Sequence, residues 1–66
     1  MPFIQISLIE GRSKEEKAAL IKEVSEAAMR TVGATPDNTR VVIYEVTADE
    51  WGVGGATVTQ MREAAK

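Results

Sequence analysis

A chain with no histidine and no cysteine has few routes to acid–base or nucleophilic chemistry. No Ser-His-Asp or Cys-His arrangement can be assembled within it, and the usual zinc sites are excluded. Carboxylates, Lys, Arg, Tyr, Ser and Thr remain, together with a chain terminus. The terminus is the unusual resource. The sequence opens Met1-Pro2. Once Met1 is removed, Pro2 carries a free secondary amine, and no other group here is so ready a base near neutral pH. Removal is expected, because proline is small enough to permit cleavage by methionine aminopeptidase. With Met1 attached, the Pro2 nitrogen is acylated and has no basicity to offer.

The elements that must hold this amine follow from the spacing of apolar residues. Residues 2–9 read as a strand. Ile4, Ile6 and Leu8 point to one face, and Phe3, Gln5, Ser7 and Ile9 to the other. Proline is tolerated at the first residue of a strand because it removes no interior ladder bond there. Glu10-Gly11-Arg12-Ser13 is a turn, in which Arg12 taken alone is a solvated turn residue. Ser13 and Glu16 have the spacing of a capping box.

From 14 to 32 the period becomes helical. Leu20, Ile21, Val24, Ala27, Ala28 and Val32 form an apolar stripe, with Met29 at its margin. Glu26 and Arg30 have the spacing of an exposed ion pair, and Gly33 and Pro36 end the helix. Residues 40–46, opening with Arg40, form a second strand, apolar enough to be buried on both faces. Strand, helix and strand with short links predict a β-α-β unit with parallel strands. Residues 51–60 hold Trp51 and three glycines, expected as a glycine-rich turn or hairpin. The pattern G-x-G-x-x-G of a phosphate cradle is absent. The tail, 61–66, is weakly patterned; Val58 and Met61 leave a short pairing strand or a frayed helical turn open.

The whole is one small domain of 66 residues, with net charge -2. A domain this short buries only about 60% of its unfolded surface, and without cysteine or histidine it is expected to gain stability by association. A two-stranded sheet with one helix leaves two edges and one face bare, which predicts an assembly larger than a dimer. No clustered basic face suggests nucleic acid, and no apolar run approaches the roughly 20 residues that span a membrane. A signal peptide is not expected, which fits the cytoplasm.

Pro2 at the head of the first strand, Arg12 just beyond that strand and Arg40 at the head of the second now stand together. With the texts Leu8-Ile9-Glu10-Gly11-Arg12-Ser13 and Trp51-Gly52-Val53-Gly54-Gly55, the chain closely resembles the 4-oxalocrotonate tautomerase family. The likeness runs from Pro2 past the glycine-rich turn. It implies an α+β fold: a single β-α-β unit plus a C-terminal β-hairpin, assembled as a homohexamer, a trimer of dimers with shared active sites.

The resemblance further implies an isomerase acting on a small enol or dienol mono- or dicarboxylate such as 2-hydroxymuconate. Pro2 would move a proton between carbons to give the conjugated keto acid, without metal or organic cofactor. Arg40 would bind the carboxylate and enol oxygen near the reacting end. Arg12, reaching in from another subunit, would hold the distal carboxylate. Trp51 stands where the family usually has a phenylalanine in the apolar pocket, and the backbone near Ile9 and Asn38 would line the site. The family's commonest context is the catabolism of aromatic hydrocarbons.

Physical chemistry is consistent with these roles. Apolar surroundings and nearby cations both lower an amine's pKa, and a base poised near the working pH is the efficient one. A guanidinium grips carboxylate bidentately and stays charged. Two other readings follow from the same residues. One is a relative that uses the same proline for hydration-dehalogenation or decarboxylation, with Glu10, Glu45 or Asp49 activating water. The other is a non-catalytic oligomeric binding module.

Overall fold

The computed structural model describes residues 2–66, so the expected removal of Met1 lies outside the described residues. Two seven-residue strands, β1 (Phe3–Ile9) and β2 (Arg40–Val46), flank the long helix α1 (Lys14–Val32). They pair in parallel, with Phe3 opposite Arg40 and Ile9 opposite Val46. The ladder reaches one residue past each end of β1: Arg40 N–H donates to the Pro2 carbonyl at 3.2 Å, and Glu10 N–H to the Val46 carbonyl at 2.8 Å. Pro2 therefore precedes the strand proper yet remains tied to it.

Helix α1 begins where its capping chemistry dictates. Glu16 N–H donates to the Ser13 hydroxyl at 3.1 Å, and Ser13 N–H to the Glu16 carboxylate at 2.9 Å. The expected capping box is thus present and satisfies two of the helix's orphan donors. At the other end Gly33 takes the left-handed conformation, φ 73°, and ends the helix.

Register and alternation fix which sheet face meets the helix. Ile4, Ile6 and Leu8 are opposite Val41, Ile43 and Glu45. Glu45 receives Lys17 of α1 at 2.7 Å, so this is the face that α1 covers. The other face carries Phe3, Gln5, Ser7, Arg40, Val42 and Tyr44. Gln5 donates to the Tyr44 hydroxyl across it at 3.2 Å. Phe3 is 61% exposed and Tyr44 50%.

The expected burial of β2 on both faces is not met in the single chain. Among the described residues none is fully buried, because one helix covers one face of a two-stranded sheet and nothing covers the other. The apolar stripe of α1 is corrected likewise: Leu20, Val24, Ala27, Ala28 and Met29 are half-buried, whereas Ile21 and Val32 are exposed. Val32 is the last residue of the helix, next to the Gly33 that ends it. Glu26 pairs with Lys22 at 3.3 Å and not with Arg30. Both spacings lie on the solvated surface and are worth only about 0.3 kcal/mol, so one carboxylate forgoes little by this choice.

Two 3₁₀ turns, Pro36–Asn38 and Ala48–Glu50, bracket β2. A short antiparallel hairpin follows, β3 (Gly52–Val53) and β4 (Ala56–Thr57). Gly54 and Gly55 both have positive φ, 61° and 93°, the requirement of a tight two-residue hairpin turn.

The chain then departs from the sequence reading. The glycine-rich unit ends at Thr57 rather than at residue 60, and Val58–Ala64 forms a second helix, α2, where the weak pattern leaves a short pairing strand or a frayed helical turn open. The cause is local. Thr57 and Gln60 form another capping box, with Gln60 N–H on the Thr57 hydroxyl at 3.1 Å and Thr57 N–H on the Gln60 side chain at 2.9 Å. Helix α2 packs on β4 and on the second 3₁₀ turn.

Candidate active site

Strand pairing brings one pair of expected site residues together. The backbone bond from Arg40 N–H to the Pro2 carbonyl holds the head of β2 against the residue before β1. Pro2 is half-buried and Arg40 exposed. The connection into β2 aims the arginine. Asn38 closes the first 3₁₀ turn, its side-chain oxygen accepting from Thr35 N–H at 3.1 Å. Arg40 Nη1 then donates to the carbonyls of Asp37 at 2.9 Å and Thr39 at 3.3 Å. Among the described residues all of the guanidinium's hydrogen bonds run through that one nitrogen, so the rest of the fork remains available to an anion. The Thr35 side chain and the backbone N–H of Asp37 hold the Asp37 carboxyl below the ordinary carboxylate value, so it stays ionised beside this end of the sheet.

Arg12 and Ile9 sit elsewhere. Arg12 follows the far end of β1 and donates through Nη1 to the Ile9 carbonyl at 3.3 Å. Six steps of about 3.3 Å separate the first and last residues of the strand, roughly 20 Å. Arg12 is thus at the opposite end of the sheet from its own Pro2. Trp51 departs from that far end too: it lies beyond Val46 and the second 3₁₀ turn, half-buried, as the residue that caps the turn. One chain therefore gathers Pro2, Arg40 and Asn38 at one end of the sheet, and holds Arg12 and Ile9 at the other. Among the described residues it encloses no cavity.

Comparison with known proteins settles the family. The model of the tautomerase enzyme family matches residues 2–61. A 2-hydroxymuconate tautomerase of Comamonas testosteroni is 43% identical, over 92% of this chain and 97% of its own. The chain belongs to the 4-oxalocrotonate tautomerase family. A probable tautomerase of Ralstonia nicotianae is 49% identical over 96% of this chain and 90% of its own length. Among solved structures, TomN, a 4-oxalocrotonate tautomerase homologue of the tomaymycin biosynthetic pathway, superposes with TM-score 0.94 at 37% identity, covering 98% of this chain and all of TomN. A heterohexameric 4-oxalocrotonate tautomerase of Chloroflexus aurantiacus does so with TM-score 0.88 at 35% identity, covering 94% of this chain and all of that one.

The protein is accordingly a tautomerase, an isomerase of β-α-β architecture with a C-terminal hairpin. The reading as a non-catalytic module is set aside on that ground. Two of the carboxylates considered as water activators are already engaged: Glu45 by Lys17 at 2.7 Å and Asp49 by the Thr59 hydroxyl. Among the described residues no helix is long and apolar enough to cross a membrane.

The sequence reading missed the residues around Trp51. Glu50 accepts from both the N–H and the hydroxyl of Thr47, at 3.2 and 2.9 Å, and Thr59 reaches back to Asp49. The signal was present, because Thr47-x-x-Glu50 and Thr57-x-x-Gln60 repeat the spacing that was recognised at Ser13-x-x-Glu16.

Proposed function

We propose that this tautomerase moves a proton within an enol or dienol carboxylic acid, such as 2-hydroxymuconate, to give the conjugated keto acid. Pro2, its amine freed by removal of Met1, is the general base. The observation that supports the proposal is the hydrogen bond from Arg40 N–H to the Pro2 carbonyl at 3.2 Å, which brings the head of β2, and with it Arg40, against Pro2. The relatives named for 2-hydroxymuconate supply the substrate class.

The steps follow from charge. Arg40 receives the carboxylate and the enol oxygen at the reacting end. Its field also disfavours protonation of the Pro2 amine, so more of the amine is present as base. The amine takes the proton from the enol oxygen, and the same proton is returned to a carbon at the other end of the conjugated system. Negative charge that develops on the oxygen is met by a guanidinium already oriented by the Asp37 and Thr39 carbonyls. Arg12 of a second subunit holds the distal carboxylate and draws electron density toward it. Trp51 forms the apolar wall, and the backbone at Ile9 and Asn38 completes the lining.

This arrangement requires a second subunit, since Arg12 lies beyond the far end of β1, a strand roughly 20 Å long, and we assign the assembly to the family's homohexamer, a trimer of dimers. The uncovered sheet face and bare strand edges supply the surface for it. The reaction asks for no metal or organic cofactor, and the enzyme is assigned to the cytoplasm.

The test combines intact mass with ultraviolet assay of 2-hydroxymuconate. The active protein should lack Met1, and Pro2→Ala should lose about 10²- to 10⁴-fold in kcat. Active enzyme that retains Met1 would overturn the role of the proline.

A further inference from the structure

Trp51 is the only tryptophan, and it is held at two points by chain that no known role yet uses. Its carbonyl accepts from Val58 N–H at 2.9 Å, at the foot of the hairpin. Two residues upstream, the Asp49 carboxylate accepts from the hydroxyl of Thr59, in the first turn of α2. Residues 49 to 59 thus form a loop closed once at Trp51 and again two residues before it. One closure is made by backbone and the other by two side chains. Apolar packing contributes little at the tip of this loop, where Val53 is 52% exposed and Gly52, Gly54 and Gly55 have no side chain to pack; Trp51, Ala56 and Val58 at its foot are half-buried.

We infer that Asp49 and Thr59 are positioning residues, whose hydrogen bond sets the place of Trp51 in the substrate site. The inference rests on the reading that Trp51 lines that site. Asp49 is given no part in the chemical step, since its carboxylate is engaged by the Thr59 hydroxyl. Its part is to tie the second 3₁₀ turn to α2, on which that turn packs. Without the side-chain closure, Trp51 retains the bond to Val58 and swings about it, while the hairpin and α2 keep their own backbone bonds and cap. Proton transfer at Pro2 and Arg40 is not touched by that motion. The loss therefore falls on binding that is equal in ground and transition states, which raises KM and leaves kcat little changed.

Asp49→Ala, Thr59→Val and the double variant test this in the assembled enzyme, with Thr59→Ser as the conservative replacement. Trp51 reports on itself through its emission maximum and its quenching by acrylamide. Each single variant should shift the emission, increase quenching and raise KM for 2-hydroxymuconate about three- to tenfold, the scale of one ordinary intramolecular hydrogen bond. The double variant should be no worse than either single one, and Thr59→Ser should match the wild type. Unchanged fluorescence in both single variants would overturn the inference, and so would a moved Trp51 with an unmoved KM, or a fall in kcat alone. A wild type inactive on enol acids would instead sink the reading of the site. The fluorescence would then still decide whether the pair places Trp51.

Discussion

At the scale of the residue, the two arginines proposed to hold the substrate carry a charge that does not depend on a titration near neutrality. Arg12 and Arg40 are each anchored through one nitrogen to backbone carbonyls, which fixes the guanidinium while leaving donors for an anion. Their roles separate by substrate. Arg12→Ala should raise KM for a dienol diacid by about tenfold or more, the loss of a charge-assisted bond, and should spare a monoacid such as phenylenolpyruvate. Equal loss on both substrates, measured as kcat/KM by ultraviolet assay, would contradict a role at the distal carboxylate. The types of these residues were legible in the sequence. Their anchoring was not, because it depends on carbonyls oriented by turns that local propensity alone does not fix.

At the scale of the element, caps decide where the helices begin. Ser13→Ala removes the hydroxyl that accepts from Glu16 N–H and should cost about 1 kcal/mol in denaturant unfolding. The same box carries a pH dependence. The Ser13 backbone N–H, then its hydroxyl and, more weakly, the Arg12 charge hold the Glu16 carboxyl below its ordinary value of 4.5. A carboxylate with a lowered folded-state pKa contributes stability that is complete above 4.5 and is lost as pH falls below it through the folded value. Glu16→Gln keeps an acceptor but does not titrate, so its stability should fall less steeply below pH 4.5, as read by urea unfolding across that range.

In the hairpin, Gly54 and Gly55 both occupy the left-handed region, and open space surrounds each. Gly54→Val would therefore fail through backbone strain rather than collision, at a cost of about 1–2 kcal/mol. Thermal unfolding of the assembled protein measures this. The helix–strand pattern and the first cap were plain in the sequence, whereas α2 was not. Seven residues with little apolar periodicity become helical because Thr57 caps them and the second 3₁₀ turn gives them a surface.

At the scale of the whole molecule, the radius of gyration is 15.3 Å, and the principal extents are 45 × 25 × 15 Å. A compact domain of this length would have a radius near 11 Å. The chain is elongated, and among its described residues none is fully buried. Such a shape is stable when other copies cover it. Tyr44→Asp would place a charge on the uncovered sheet face, so it should weaken assembly and destabilise the fold together. Sedimentation equilibrium should then show smaller species, with unfolding that depends on protein concentration. An unchanged assembly size would mean that this face is not an interface.

The sequence by itself determined the β-α-β order, the first helix cap, the proline whose amine removal of Met1 would free, and the two permanent cations. These depend on residue type and on spacing along a few turns of chain. Only the tertiary structure decided the register that bonds Arg40 N–H to the Pro2 carbonyl, the carbonyls that anchor the two guanidinium groups, and the full helix to which the turn before Trp51 is tied. Those facts depend on strand register, on the geometry of turns and on contacts between residues distant in sequence, which local patterns alone do not fix.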